Sequence, residues 1–479
     1  MDIKAILLNK FGFEQFRAGQ EEVIRDVISN RDTIAILPTG SGKSLCYQLP
    51  AYTKDGTVVI VSPLVALMED QVAIMKRNGE KRVVALNSFL SFKDRQRIMN
   101  QLELYKFIFV SPEMLMQNNV AEQFKKMTIA FIVVDEAHCI SQWGFDFRPD
   151  YLRMGEFLKQ LDRPNILALT ATADTKVLQD IVHYLCLENP AIHKHSLDRK
   201  NISYSIRQVN SEQEKTAWIL ERAKITRAPG IIYVASRRRA DELALYLKEH
   251  SVSIASYHAG MEQEDRAFIQ EQFITGETDW ICATTAFGMG IHKNDVRQVI
   301  HENMPSTIAG YMQEVGRAGR DGNLSAATLL FTVDDIRKTR FIVQNDLPTE
   351  IEVRHYFDRL KEGSSKGEAT QFAGISDTAT RVIDYYLERT PIETTIQNIR
   401  EQSTEKENQL QNILHIINGE NCIRKSLLEF YGETLTAHPT SCCSVCGMGE
   451  DDWLFEKKRS NSTRKLVNWE DRLARLLRS

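Results

Sequence analysis

The sequence predicts an α/β protein in which two successive parallel-sheet domains are followed by a helical, cysteine-bearing region. Three observations carry this expectation. Short apolar runs alternate with helix-length segments, the pattern of parallel strands covered on both faces. The alternation runs through twice, with a change of character near 198–208. From about Asp334 the strand-like runs stop and helical periodicity takes over. At 479 residues the chain is too long for one ordinary core and requires two or three domains.

In the first domain the strand candidates are 33–37, 57–61, 107–110, 131–134 and 166–169; in the second they are 230–234, 253–256, 280–283, 298–301 and 328–331. Helices are expected at 351–360, 379–388 and 410–431. The turn Gly374-Ile375-Ser376-Asp377 fits either an ordinary helix connection or a helix-turn-helix corner. The expected domains are 1–205, 206–340 and 341–447, with a basic tail over 448–479. That tail fits a solvated helix or a contact to phosphate backbone or a partner.

Composition narrows the function classes. The 60 Lys and Arg against 64 Asp and Glu leave a net charge of −4, so any grip on nucleic acid must be local. No run approaches the roughly 18 apolar residues of a membrane span, and the N-terminus lacks a signal-peptide core. A cytoplasmic, nucleoid-associated protein without a membrane partner is therefore expected. Of the eight cysteines, Cys46, Cys139, Cys186 and Cys282 stand singly beside apolar runs and read as buried reduced thiols. Cys422, Cys442, Cys443 and Cys446 are clustered.

The phosphate-loop and acidic motifs follow strands. Leu37-Pro38-Thr39-Gly40-Ser41-Gly42-Lys43-Ser44 comes directly after the first apolar run. Its glycine-rich backbone can surround phosphate oxygens, Lys43 can reach the β/γ-phosphates, and the Ser44 hydroxyl can ligate Mg²⁺. Leu37 stands where the strict phosphate-loop pattern has glycine, and the looser form resembles superfamily 2 helicases and translocases. Downstream, Val133-Val134-Asp135-Glu136-Ala137-His138 delivers two carboxylates to a strand end. In the second domain, Gln313-Glu314-Val315-Gly316-Arg317-Ala318-Gly319-Arg320 sets two guanidinium groups three residues apart, able to neutralise charge on a transferring phosphoryl group. The glycine-punctuated stretch 283–293 can couple nucleotide state to lobe closure.

Taken in order, 11–20, the phosphate loop, 62–71, Asp135–His138, 170–173, 287–290 and 316–322 resemble the motifs of RecQ-family DNA helicases over roughly residues 8 to 447. The resemblance implies two RecA-like motor domains and a zinc-binding helical subdomain. The chain departs from many members in length: too few residues follow the cysteine cluster for the winged-helix and C-terminal helical accessory domains, so a short form is expected. The resemblance implies that Phe13 stacks on adenine with Arg17 and Gln20 recognising it, and that Thr39, Gly40, Ser41, Gly42, Lys43 and Ser44 hold the phosphates. Ser44 and Asp135 would hold Mg²⁺, Glu136 would act on the attacking water, and His138 would couple the lobes. Gln313, Arg317 and Arg320 complete the catalytic set, with Arg320 preferred as the finger. The stretch 139–151 resembles the family's aromatic-rich loop, so Trp143, Phe145, Phe147 and Arg148 are the expected nucleic-acid contacts. Cys422, Cys443 and Cys446 would bind Zn²⁺, with Cys442 or His438 as the fourth ligand.

The implied activity is ATP-dependent, 3′ to 5′ translocation on single-stranded DNA with unwinding of tailed duplexes, in repair or recombination. The implied protein is a monomer whose partners extend to single-strand-binding or repair proteins. An RNA-dependent ATPase and a scaffold with a degenerate motor are the alternatives. The presence of Lys43, Glu136, Arg317 and Arg320 weighs against the second.

Overall fold

The computed structural model describes residues 2–87, 90–141, 149–161, 163–285, 287, 293–345 and 347–447. The expected nucleic-acid contacts Trp143, Phe145, Phe147 and Arg148, the basic tail, and most of the loop 286–292 lie outside the described residues.

Among the described residues the strands form two parallel sheets. The first has seven strands: β1 (Thr33–Ile36), β2 (Thr57–Val61), β3 (Val83–Leu86), β4 (Phe107–Val110), β5 (Ile129–Val134), β6 (Ile166–Thr170) and β7 (Ala191–Lys194), in the order β3-β4-β2-β5-β6-β1-β7. The second has six: β8 (Ile202–Gln208), β9 (Gly230–Tyr233), β10 (Ile254–Tyr257), β11 (Trp280–Ala283), β12 (Gln298–His301) and β13 (Ser325–Phe331), in the order β10-β11-β9-β12-β13-β8. Burial on both faces explains why the inner strands read as continuous apolar runs. Ile34, Val59, Val61 and Ile132 face one core, while Ala35, Val58, Ile60 and Val133 face the opposite one.

The strands missing from the sequence reading are β3, β7 and β8, all at sheet edges. An edge strand buries less and carries polar residues, as His193 and Lys194 do in β7, so its apolar signal is weak. The omission moves one expected boundary. All of β8 pairs with β13, so the second domain begins by Ile202 rather than at 206, and the connection between sheets is 195–201.

The helical region also departs from expectation. Residues 341–447 were expected as one subdomain, but the helices Glu350–Lys361, Lys366–Ala373 and Asp377–Leu387 bury Val353, Tyr356, Ala369, Val382 and Ile383 in the core of the first lobe. The helix Ile423–Phe430 and Cys442–Cys443 join the core of the second. A 27-residue helix, Ile392–Asn418, links the two: Ile396 and Ile399 pack into the first core, Leu410, Ile413 and Ile417 into the second. At 1.5 Å per residue it is a strut about 40 Å long. The helix expected over 410–431 is broken at Gly419, whose extended backbone ends the strut, and Cys422 caps the next helix rather than lying within it.

Candidate active site

Strand order explains why distant motifs meet. β5, β6 and β1 are neighbours in the first sheet, so their C-terminal ends lie side by side. β1 runs into the phosphate loop and the helix Leu45–Ala51, β5 into Asp135 and Glu136, and β6 into Thr170-Ala171-Thr172. A parallel sheet thus collects three loops at one edge, where ligands bind in open α/β folds.

The phosphate loop is held from outside. Arg17 Nη1 donates to the Gly40 carbonyl at 2.6 Å, and Gln20 Nε2 donates to the carbonyls of Ser41 and Gly42 at 2.9 and 3.1 Å. Gly40 and Gly42 both have positive φ, +82° and +79°, which a β-carbon would strain. With its carbonyls turned to these side chains, the loop leaves the amides of Gly40, Gly42, Lys43 and Ser44 without a main-chain acceptor among the described residues. Such amides at a helix start form a cradle for anionic phosphate. Phe13 is about half exposed, while Arg17 and Gln20 are engaged with the loop itself.

The acidic pair is crowded. Glu136 is a non-glycine residue in the left-handed region, φ 47°, its amide donating to Asp135 Oδ1 at 3.0 Å. Backbone strain of this kind persists where surrounding structure fixes it. Burial, and then the neighbouring Glu136 charge, push the Asp135 carboxyl up to about 7, with Lys43 acting in the opposite sense. Two carboxylates forced together beside a phosphate cradle fit a divalent cation, which supplies the missing positive charge. Buried His138 lies with Nδ1 3.0 Å from Thr170 Oγ1 and 3.4 Å from Glu136 Oε2. Thr170 Oγ1 in turn bonds Thr172, so the β5 and β6 loops share one network.

The second lobe closes on this edge. The helix Ile308–Val315 ends at Gly316, whose carbonyl accepts from Thr39 Oγ1 at 2.9 Å. A β-carbon on Gly40 would stand 3.1 Å from Arg320 Cγ, so the Arg320 side chain passes directly over the phosphate loop. Gln313 lines the crevice with Thr39, Thr172 and Gly316, and Arg317 contacts the Tyr233 hydroxyl. Burial, then Arg317 and Arg199, pull the Arg320 guanidinium down to about 9. Cations crowded at a phosphate loop gain from an anion between them, and a γ-phosphate supplies one. The sequence reading missed Arg199, which reaches both lobes from the connection; a lone arginine among polar residues gives no motif signal.

Beside the strand Ile202–Gln208 of the second lobe, four cysteine sulfurs lie within 4.8 Å of one another. Cys422–Cys442, Cys422–Cys443 and Cys443–Cys446 are 3.6, 3.8 and 3.5 Å apart. A tetrahedral Zn²⁺ with Zn–S near 2.3 Å requires edges of about 3.8 Å, so the donor set fits zinc. His438 Nδ1 abuts the same cluster, 3.5 Å from Cys442.

Two facing parallel sheets, with a phosphate loop and acidic pair on one and paired arginines on the other, define a helicase-type motor of superfamily 2. The first lobe matches the DEAD/DEAH box helicase model over residues 17–181, and the second the helicase conserved C-terminal domain over 212–322. The fold is shared with the Mycobacterium smegmatis helicase Lhr bound to ssDNA and AMP-PNP, at TM-score 0.58, 19% identity and coverage of 80% of this chain and 57% of that one. It is shared too with S. cerevisiae Dbp5 bound to RNA and ADP BeF3, at TM-score 0.57, 17% identity and coverage of 85% and 97%.

Among curated relatives, a Bacillus subtilis protein named "Probable ATP-dependent DNA helicase RecS" is 39% identical, with 99% of this chain and 97% of that protein covered. The ATP-dependent DNA helicase RecQ of Haemophilus influenzae is 42% identical over 68% of this chain, which spans 52% of that protein. For RecQ of Bacillus subtilis the figures are 38%, 71% and 58%. The chain belongs to the RecQ family.

Proposed function

We propose that the chain is an ATP-dependent DNA helicase that moves 3′ to 5′ along single-stranded DNA and opens tailed duplexes. The observation that carries this is the closure of the arginine-bearing turn of one lobe over the phosphate loop of the other, Thr39 to Gly316 and Arg320 over Gly40. Nucleotide bound there would be enclosed by both lobes, so its binding and hydrolysis would change the angle between them. The names of its relatives supply the nucleic acid.

In this reading the amides of residues 40–44 and Lys43 bind the phosphates of ATP. Ser44 and Asp135 hold Mg²⁺, which neutralises charge on the phosphates. Phe13 stacks on the base, flanked by Arg17 and Gln20. Glu136 orients the attacking water, and His138 carries the state of that site to the Thr170–Thr172 loop. Gln313, Arg317 and Arg320 meet the γ-phosphate from the second lobe, with Arg320 as the finger. Hydrolysis of a phosphoanhydride is mostly positioning and charge stabilisation, and this set provides both. Cys422, Cys442, Cys443 and Cys446 would hold Zn²⁺ in a structural role, since four thiolates would leave no open position for substrate. Trp143, Phe145, Phe147 and Arg148 remain the proposed DNA contacts, and the setting is nucleoid DNA under repair or recombination.

The test is steady-state ATP hydrolysis without nucleic acid, with single-stranded DNA and with single-stranded RNA, beside unwinding of a 3′-tailed duplex. Strong DNA stimulation with unwinding is expected, and Lys43→Ala should abolish turnover while DNA binding stays measurable. Selective stimulation by RNA would overturn the substrate, and undiminished turnover in the Lys43 variant would overturn the site.

A further inference from the structure

The connection between the two sheets is more than a tether. Arg199, at its centre, donates from Nη1 to the Thr39 carbonyl at 3.3 Å, and from Nη2 to the carbonyls of Ala318 and Gly319 at 3.1 and 2.6 Å. The first acceptor belongs to the phosphate loop. The other two are the peptides lying between Arg317 and Arg320. One planar guanidinium therefore spans the two loops that must meet across ATP, and no carboxylate hydrogen-bonds to it among the described residues. Asn201 Nδ2 adds a bond to the same Gly319 carbonyl at 2.8 Å.

The arginine is itself fixed from outside the motor. Arg424, 1% exposed on the helix that follows Cys422, ion-pairs with Asp198 and donates to the carbonyls of Arg199, at 3.1 Å, and Ile202. Its guanidinium lies 5.0 Å from the centre of the Tyr204 ring. Glu433 accepts from the Leu197 amide at 3.2 Å and the Ser196 hydroxyl at 2.7 Å. The Tyr204 amide donates to the Cys442 carbonyl at 3.2 Å. The connection is thus gripped residue by residue by the cysteine-cluster segment.

We propose that Arg199 is a positioning residue for phosphoryl transfer, and that Arg424 sets its place. Arg199 acts through the loops it holds, aligning the Arg317–Arg320 turn with the phosphate loop when the lobes close. Arg424 makes that alignment depend on the packing of the cysteine-cluster helix. The physical requirement is orientation: a displacement of about 1 Å remote from the reacting atoms can cost on the order of 10²-fold in rate. The proposal rests on the ATPase reading above.

The experiment uses the full chain with saturating single-stranded DNA, measuring kcat and KM for ATP, affinity for a fluorescent ATP analogue, and thermal melting. For Arg199→Ala, kcat is expected to fall on the order of 10²-fold while KM, analogue affinity and the melting temperature hold close to wild type. Arg199→Lys, which keeps the charge but not the planar fork, should recover part of that loss. Arg424→Lys should lower kcat in the same direction and add little to Arg199→Ala, because both act through one link. Unchanged kcat in both Arg199 variants would overturn the proposal. So would a loss that tracks melting temperature and KM together, which would make Arg199 merely structural. Absence of DNA-stimulated turnover in the wild-type chain would instead remove the motor reading beneath it.

Discussion

At the scale of single residues, the site depends on charges placed close enough to disfavour one another. Asp135 and Glu136 are adjacent carboxylates at a strand end, and Arg317, Arg320 and Arg199 are neighbouring cations at the opposing edge. Each group gains when ligand of the opposite sign enters, so binding free energy is directed to the reacting centre. Glu136→Gln keeps the shape and removes the charge. It should retain ATP affinity in a fluorescence titration while lowering turnover by about 10²–10⁴-fold; full turnover would exclude Glu136 from acting on water. Arg320→Ala should cost about 10³–10⁵-fold in kcat, and a larger loss in Arg317→Ala would transfer the finger role to Arg317. These residues were legible because each stands in a recognisable local motif, Asp135 and Glu136 after an apolar strand and Arg317 and Arg320 after a helix. Arg199 was not, since its role comes from three main-chain acceptors in two other loops, which no local spacing encodes.

At the scale of elements, the fold was legible where burial was two-sided. Inner strands such as β2 and β5 are apolar along their length, whereas β7 and β8 sit at edges and carry polar residues that hide them. The cysteine cluster was visible as a CxxC pair, and packing brings both Cys442 Sγ, 3.6 Å from Cys422, and His438 Nδ1, 3.8 Å from it, to the place of a fourth donor. Stoichiometric zinc is expected by metal analysis of the purified chain. Cys443→Ser should release it and lower the melting temperature, because Cys443 is buried in the core of the second lobe and bridges to Tyr204. Protein purified without metal and melting as wild type would remove zinc from the account.

At the scale of the whole molecule, the helix Ile392–Asn418 ties the lobes together. Its first half is held on the first lobe's core and its second on the other, with Arg340–Glu407 at 2.8 Å on the second side. Arg389–Glu156, also 2.8 Å, fastens the preceding turn to the first lobe. Thr404 is exposed midway along it. Thr404→Pro should cost about 3 kcal/mol and split the thermal transition, while Thr404→Ala should melt as one unit; a single unshifted transition in the proline variant would show that the strut does not couple the lobes.

What the sequence by itself determined is the chemistry and the class of fold. Phosphate loop, acidic pair and paired arginines are local motifs, and parallel sheets buried on both faces write themselves as apolar runs. Tertiary structure alone decided how those motifs meet: that β5, β6 and β1 are neighbours, that Arg320 lies over Gly40, and that the helical region is shared between two cores. It also decided that Arg424 and Glu433 hold the inter-sheet connection. The physical reason is range. Strand burial and loop chemistry are set by residues a few positions apart, whereas strand order and lobe contacts join residues hundreds of positions apart whose pairing leaves no periodic trace.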